Sequence, residues 1–361
     1  MPEPRRLAAR WIGWSPIRIW GMVPVERLRR SLARAGIWDA GPWTGQTPPI
    51  PASVLLLMGD HVYAYEVIAA LVRSPDTVLV RGDGRAVAAH VPRERAEEAA
   101  HALIMGEEAA PDLPRKRGRD LVPEAELRQR RRTNPLVMPV SAELRGEVEN
   151  RLFQYASKAR TDLVSLLVWP RPARGLTRFA VKLGLTANQV TSFGLVLALA
   201  AALAFHAGWL SLGLAVAWAM SLTDAVDGRL ARLTLSTSQV GTTLESALAV
   251  LHPPLWWWAW WAGGGAHDWA MAILVMGSLL IKAEEWLFTW RTGFPMHAWQ
   301  RFDGLYRLVS AHRNLVLLLL TISLLAGHPQ TGADAAAVWM AVCVVVHAVR
   351  LIQAWRSAPQ G

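Results

Sequence analysis

Six long apolar runs in the C-terminal half, at roughly 190–207, 209–226, 242–262, 269–290, 313–327 and 334–354, limit what this chain can fold into more than any other feature. Each is near the ~20 residues that a spanning helix needs. Their number argues for a bilayer rather than the core of a soluble helical protein. The loops between them sort by charge. Arg171, Arg174, Arg178 and Lys182 precede the first run, and Arg229 and Arg232 lie between the second and third. Arg291, Arg301, Arg307 and Arg313 lie between the fourth and fifth, and Arg350 and Arg356 follow the sixth. The alternate loops, HAGW, AGGGAHD and AGHPQTGAD, hold no Lys or Arg. Cationic loops stay on the cytoplasmic side, so the pattern places both chain ends and the charged second loop there. Trp209, Trp260, Trp261, Trp269, Trp286, Trp290 and Trp355 fall near predicted span ends, where indole rings anchor at the interface.

The stretch 160–184, RTDLVSLLVWPRPARGLTRFAVKLG, is apolar in patches and basic in others, with Pro170 and Pro172 as breaks. It reads as an amphipathic element lying along the cytoplasmic interface. The net charge of +10 suits anchoring at an anionic membrane surface better than nucleic-acid binding. The single cysteine, Cys343, lies inside an apolar run, so no intrachain disulfide and no cysteine metal site can form. The start, MPEPRRLAARWIGWSP, has no continuous apolar stretch, which predicts no cleavable signal peptide.

Before residue 160 the composition changes to Arg, Glu and Pro. Residues 54–72 predict a short buried strand, a turn and a helix; residues 77–91 predict strand, Asp-Gly turn and strand; RERAEEAAHALIMG predicts a helix. The expected fold class is therefore an α-helical membrane protein of six transmembrane helices plus an interfacial amphipathic helix, preceded by a small cytoplasmic α/β domain. The expected boundaries are 1–110 for the α/β domain, 111–158 for a basic linker and 159–361 for the membrane domain. The expected place is the inner, cytoplasmic cell membrane.

The stretch 224–249, DAVDGRLARLTLSTSQVGTTLESALA, sets charge between segments suited to lipid. Asp224, Asp227 and Ala231 fall at i, i+3 and i+7, one face of a helix. After a polar turn, Gly241, Glu245 and Ala249 repeat the pattern at i, i+4 and i+8. Two such helices facing each other would bring Asp224, Asp227 and Glu245 together. Ionisable residues in a span are costly and mark function, and clustered carboxylates repel unless a cation joins them. Oxygen-only ligands favour Mg²⁺ or Mn²⁺, and with them a phosphate-bearing substrate.

The same stretch resembles the signature of the CDP-alcohol phosphotransferases, D-x2-D-G-x2-A-R-x8-G-x3-D-x3-D, at Asp224, Asp227, Gly228, Ala231, Arg232 and Gly241. Residues 183–202, LGLTANQVTSFGLVLALAAA, are similar to the family's lead-in to its first span. The resemblance covers about 160–355. It implies a six-helix membrane enzyme, usually dimeric, that transfers a substituted phosphate from a CDP-linked lipid or polyol to an alcohol acceptor and releases CMP. It assigns Asp224 and Asp227 to metal and donor pyrophosphate. Gly228, Ala231 and Gly241 would leave room for cytidine, and Arg232 would help hold the site.

The chain departs from the signature twice. The third aspartate is Glu245, which keeps the carboxylate, and the fourth is Ala249, which removes the group the family uses as general base. His252, one turn beyond Ala249, is a candidate substitute; as a bland alternative it is a helix-end histidine before Pro253 and Pro254. Glu284 and Glu285 are a second candidate pair, against pairing with Lys282 or Arg291 near the interface. Arg313, and with it Arg291, is the candidate for a substrate phosphate, against ordinary positive-inside charge. A partner subunit that binds metal and nucleotide without turnover is the rival function. A transporter fits less well, since no inverted repeat or matching pair of broken helices is visible.

IWGMVPVERLRRSLARAGI and VLLLMGDHVY resemble parts of sugar-phosphate nucleotidyltransferase domains, most closely inositol-phosphate cytidylyltransferases. This implies a metal-binding role for Asp60 and tilts the acceptor or donor towards inositol phosphate. No Gly-rich, basic phosphate loop precedes these motifs, so the domain is expected to be structural or regulatory.

Overall fold

The computed structural model describes residues 7–46, 52–108, 110–123, 134–157, 162–236 and 239–357; the side chains of 239–242, 244 and 245 fall outside the description. The chain divides into two compact units, one of Met1–Ser157 with Leu233–Leu235, the other of Lys158–Arg232 with Ser236–Gly361.

The first unit is α/β. In chain order it contains β1 (Leu7–Ile12), α1 (Pro24–Arg34), β2 (Ala40–Pro42), β3 (Ser53–Met58), β4 (His61–Tyr63), α2 (Tyr65–Val72), β5 (Thr77–Val80), β6 (Ala86–Pro92), α3 (Ala96–Met105), β7 (Arg115–Arg117), α4 (Gly118–Leu121), β8 (Val137–Pro139) and α5 (Arg145–Ala156). Among the described residues β2-β1-β3-β6-β5-β7 form one mixed sheet and β4-β8 a two-stranded one. β1 and β3 run parallel, with Leu7 opposite Ser53 and Ile12 opposite Met58, whereas β3 and β6 run antiparallel. Val54–Leu57 are fully buried. That explains why the run reads as continuously apolar, since a central strand is covered on both faces.

The described parts of 111–158, expected as a linker, carry β7, α4, β8 and α5 and cluster with the first unit. Val137–Pro139 pair with His61–Tyr63, and Phe153 of α5 stacks on Trp20 at 5.4 Å. Charge in this stretch sits on exposed faces of elements whose apolar residues, Leu136, Val148 and Leu152 among them, are buried. The run at 124–133 lies outside the described residues.

The second unit is helical. Two short helices, α6 (Leu163–Leu167) and α7 (Pro170–Lys182), come first, with Pro170 at the first position of α7. Pro is accepted there because that N–H has no partner in any helix, so the proline expected as a break is a start. Long helices follow: α8 (Ala187–His206), α9 (Leu210–Thr234), α10 (Gln239–Ala262) and α11 (Asp268–Thr292). The short α12 (Arg301–Val309), then α13 (Arg313–Leu325) and α14 (Pro329–Ser357), complete the unit. The helices agree with the six predicted runs. Among the described residues four stretches, Ala187–His206, Leu210–Thr234, Arg301–Leu325 and Pro329–Arg356, are long and apolar enough to cross a membrane.

The turns without Lys or Arg are glycine stops. After α8, the Gly208 N–H bonds Phe205 O and the Trp209 N–H bonds Ala204 O; after α13, Gly327 bonds Leu324 O and His328 bonds Ser323 O. Both glycines have positive φ, 77° and 78°, as this helix-ending motif requires. At the start of α8, Thr186 and Gln189 form a reciprocal capping box, already written in TANQ.

The core joins α8, α9, α10, α11, α13 and α14 through Phe205, Met220, Trp256, Trp260, Leu274, Leu317 and Met340. Trp260, expected as an interfacial anchor, is fully buried, with its indole N–H on Gly265 O at 2.6 Å and its ring edge-on to Phe205. Trp209, Trp269, Trp286, Trp290 and Trp355 are exposed, as an interfacial position would have them. Pro253 and Pro254 lie inside α10, which continues to Ala262. His252 is therefore a mid-helix residue, not a helix-end one.

Candidate active site

α9 carries five of the predicted residues: Asp224, Asp227, Gly228, Ala231 and Arg232. The two carboxylates sit one turn apart and are held differently. Asp227 is buried; its Oδ2 accepts from the Thr191 hydroxyl of α8 at 2.8 Å and its Oδ1 from the Gly228 N–H at 2.5 Å. The Asp224 side chain is 38% exposed, and its Oδ2 accepts from Arg313 Nη2 at 2.9 Å. Gly228 faces the Arg232 guanidinium: a Cβ there would stand 3.2 Å from Nη2, so a larger residue displaces that side chain.

Arg313 is the first residue of α13, so its guanidinium reaches back towards α9 and α10. Besides Asp224, its Nη2 donates to Ser221 Oγ at 3.4 Å, its Nε to Asn314 Oδ1 at 3.3 Å, and its Nη1 contacts His252 Nε2 at 3.2 Å. His252 is buried and its Nδ1 bonds Leu248 O at 2.5 Å. Donation to that carbonyl places the ring proton on Nδ1 and leaves the Nε2 lone pair to accept from Arg313. The candidate base is thus occupied as an acceptor for a permanent cation.

Ala249 is exposed on α10 and, with Lys282, His312 and Arg313, borders a small cavity. Gly241 and Glu245 lie on the described backbone of α10, but their side chains fall outside the description. Glu285 pairs with Lys282 and with Arg307, each at 2.8 Å, rather than with Arg291. His347 Nδ1 lies 3.9 Å from Glu284. Arg291 sits in the last turn of α11, and among the described residues no ion pair joins it to Asp224 or Asp227.

Among the described residues no group of three His, Cys, Asp or Glu side chains is placed to hold a metal. The donor chemistry of Asp224 and Asp227 nevertheless fits a hard divalent cation, since both offer carboxylate oxygens. A third carboxylate would have to come from Glu245.

Sequence reasoning missed a polar network behind the site. Asp162, the N-cap of α6, accepts from Ser165 N at 2.9 Å, Ser165 Oγ at 2.8 Å and Asn314 Nδ2 at 3.0 Å. Ser221 donates to Asn314 Oδ1 at 2.6 Å. Two signals were available: Ser221 stands three residues before Asp224 on the same face, and Asn314 is a polar residue opening an otherwise apolar run.

In the first unit, Asp60 follows β3 and its Oδ1 lies 2.6 Å from Nδ1 of buried His61. That hydrogen bond holds the Asp60 carboxyl below its usual range. Gly59 bonds Ile12 O through its N–H, and a Cβ there would collide with Gly13 O.

No curated protein matches the chain. Similar solved structures include three of Mycobacterium tuberculosis phosphatidylinositol phosphate synthase (PgsA1). The one with CDP-DAG bound is 19% identical with a TM-score of 0.36, over 53% of this chain and 96% of that chain. The one with manganese and citrate is 21% identical at 0.37, over 52% and 90%, and the apo form 21% at 0.36, over 52% and 97%. The family model for CDP-alcohol phosphatidyltransferase matches residues 184–349, which run from the lead-in to α8 into α14 and carry Asp224, Asp227, Gly228 and Arg313, so this part of the chain is a CDP-alcohol phosphatidyltransferase family domain.

Proposed function

We propose that the protein is a membrane transferase that moves a substituted phosphate from CDP-diacylglycerol or a CDP-polyol to an alcohol, with inositol phosphate the first acceptor to test. The observation that carries the reading is the meeting of Asp224 and Arg313, carboxylate and guanidinium from two helices of the family domain, 2.9 Å apart beside buried Asp227. Asp224, Asp227 and Glu245 would hold Mg²⁺ or Mn²⁺, which supplies positive charge to the donor pyrophosphate and the CMP leaving group. Arg313 binds a donor or acceptor phosphate, with Arg291 as a second contact. Gly228, Ala231 and Gly241 leave room for cytidine, and Arg232 closes that side. In the transfer, the acceptor oxygen bonds the phosphorus of the transferred group as the bond from that phosphorus to the CMP oxygen breaks, and the acceptor hydroxyl's proton passes to solvent. In this reading all six long helices span the inner membrane, the site faces the cytoplasm and the protein is a homodimer.

A second reading rests on one position. Ala249 cannot accept a proton, and His252 Nε2 faces Arg313. A missing base lowers a rate by about 10²–10⁴-fold. A family member that binds metal and nucleotide as a partner subunit, without turnover, is the alternative. The test is CMP release from labelled CDP-diacylglycerol or CDP-inositol with Mg²⁺ or Mn²⁺ over a panel of alcohols. Release by the natural protein supports the enzyme, slow and raised by Ala249→Asp. Silence that Ala249→Asp relieves supports the second reading. Silence from both proteins rejects the transferase.

A further inference from the structure

Asp162 is a buried carboxylate whose described partners, Ser165 and Asn314, are all neutral donors. Withdrawing a carboxylate from water is costly unless hydrogen bonds replace the solvent. Capping α6 does not require it, because serine caps about as well. A carboxylate can do something here that serine cannot: dictate which way round the Asn314 amide sits. It only accepts, so Asn314 must turn its NH₂ towards Asp162 and its oxygen the other way. That oxygen takes the Ser221 proton at 2.6 Å and faces Arg313 Nε at 3.3 Å. With its one proton spent, Ser221 Oγ can only accept, from Trp169 Nε1 at 3.3 Å and Arg313 Nη2 at 3.4 Å. A reversed amide would turn NH₂ towards the guanidinium and set donor against donor.

We propose that Asp162 is a positioning residue: through Asn314 and Ser221 it orients two acceptors that hold the Arg313 guanidinium beside Asp224. The short interfacial helix α6 thereby becomes part of the site's construction. The inference rests on the reading that Arg313 binds a phosphate of the donor.

The test uses the full chain in detergent or nanodiscs. Asp162→Ser keeps a cap for α6 and loses the reach to Asn314. The expected result is a KM for CDP-diacylglycerol raised about tenfold with kcat within about threefold, the size of one hydrogen bond to a charged group. Asp162→Asn, which retains one carbonyl oxygen, should be milder. A second readout does not need turnover: a double-mutant cycle on melting temperature between Asp162→Ser and Arg313→Lys, expected to be non-additive because the two act through one network. Additive melting shifts would overturn the proposal whatever the activity, as would an unchanged KM in an active Asp162→Ser protein. If the natural protein releases no CMP, the functional reading fails by itself, while a non-additive cycle still supports the coupling. Should Asp162→Ser not fold, Asp162→Asn serves in the same cycle.

Discussion

Gly59-Asp60 in the first unit and Asp227-Gly228 in the second are the same two residues in opposite order, and their surroundings differ in kind. At Gly59 the missing side chain lets one backbone touch another, Gly13 O, so nothing there can move aside. At Gly228 it faces the far end of Arg232, a side chain that can. Asp60 is bound by its immediate neighbour, His61. Asp224, one turn before Asp227, is bound by Arg313 from another helix. An aspartate satisfied by its neighbour finishes a turn. An aspartate satisfied across helices creates a place where two elements meet and a ligand can compete for both partners.

The contrast breaks most sharply at Asp227. Asp227→Asn removes a negative charge from the proposed metal face while leaving an oxygen for Thr191 or for the Gly228 N–H. CMP release should fall by about 10³-fold or more, since the charge stabilisation a metal supplies amounts to several kcal/mol. Mn²⁺ binding, measured by titration, should disappear. Undiminished Mn²⁺ binding would remove the metal assignment.

Arg313→Ala is next in size. It deprives Asp224 of the Arg313 contact and the site of its oriented cation, so CMP release should drop about 10²-fold, in the range for loss of one positioned donor at a developing charge. Arg313→Lys should recover little, because an ammonium cannot reach Asp224, Ser221, Asn314 and His252 together. A fully active Arg313→Ala would show that the Asp224 contact is structural. Salt dependence sharpens the point: with Arg313 largely buried, the pair should weaken less between low and physiological salt than a fully exposed pair does.

Asp224, Asp227 and Arg313 were also the most legible positions. Asp224 and Asp227 stand at helical spacing between apolar runs, and Arg313 opens a span, so periodicity and local charge sufficed to select them. The apolar runs and Gly-containing turns were legible for the same reason: each is a local pattern. What escaped was non-local. Nothing in the sequence says that Asp162 reaches Asn314, 152 residues away, or that His252 turns its lone pair to Arg313. Trp260 was misplaced because hydropathy sees a tryptophan near a span end and cannot see Phe205 against it. The linker was misjudged because charge was averaged over 111–158, whereas burial of Leu136, Val148 and Leu152 is decided residue by residue.

The smallest expected effect lies at Asp60, and it tests the other half of the comparison. If the first unit's aspartate only finishes a turn, Asp60→Asn should leave CMP release and Mn²⁺ binding unchanged and cost less than about 1 kcal/mol of stability, as a half-exposed pair does. The pH dependence has a definite sign. The His61 hydrogen bond holds the folded Asp60 pKa below the unfolded value near ~3.9. Its contribution is therefore full above the unfolded pKa and lost as pH falls through the folded one. Melting curves of the two proteins should differ at pH 6 and converge as the solution is acidified below about pH 4. A gap that widens on acidification would mean that the carboxylate destabilises the turn. A loss of Mn²⁺ binding in Asp60→Asn would place a second metal site in the first unit and end the contrast.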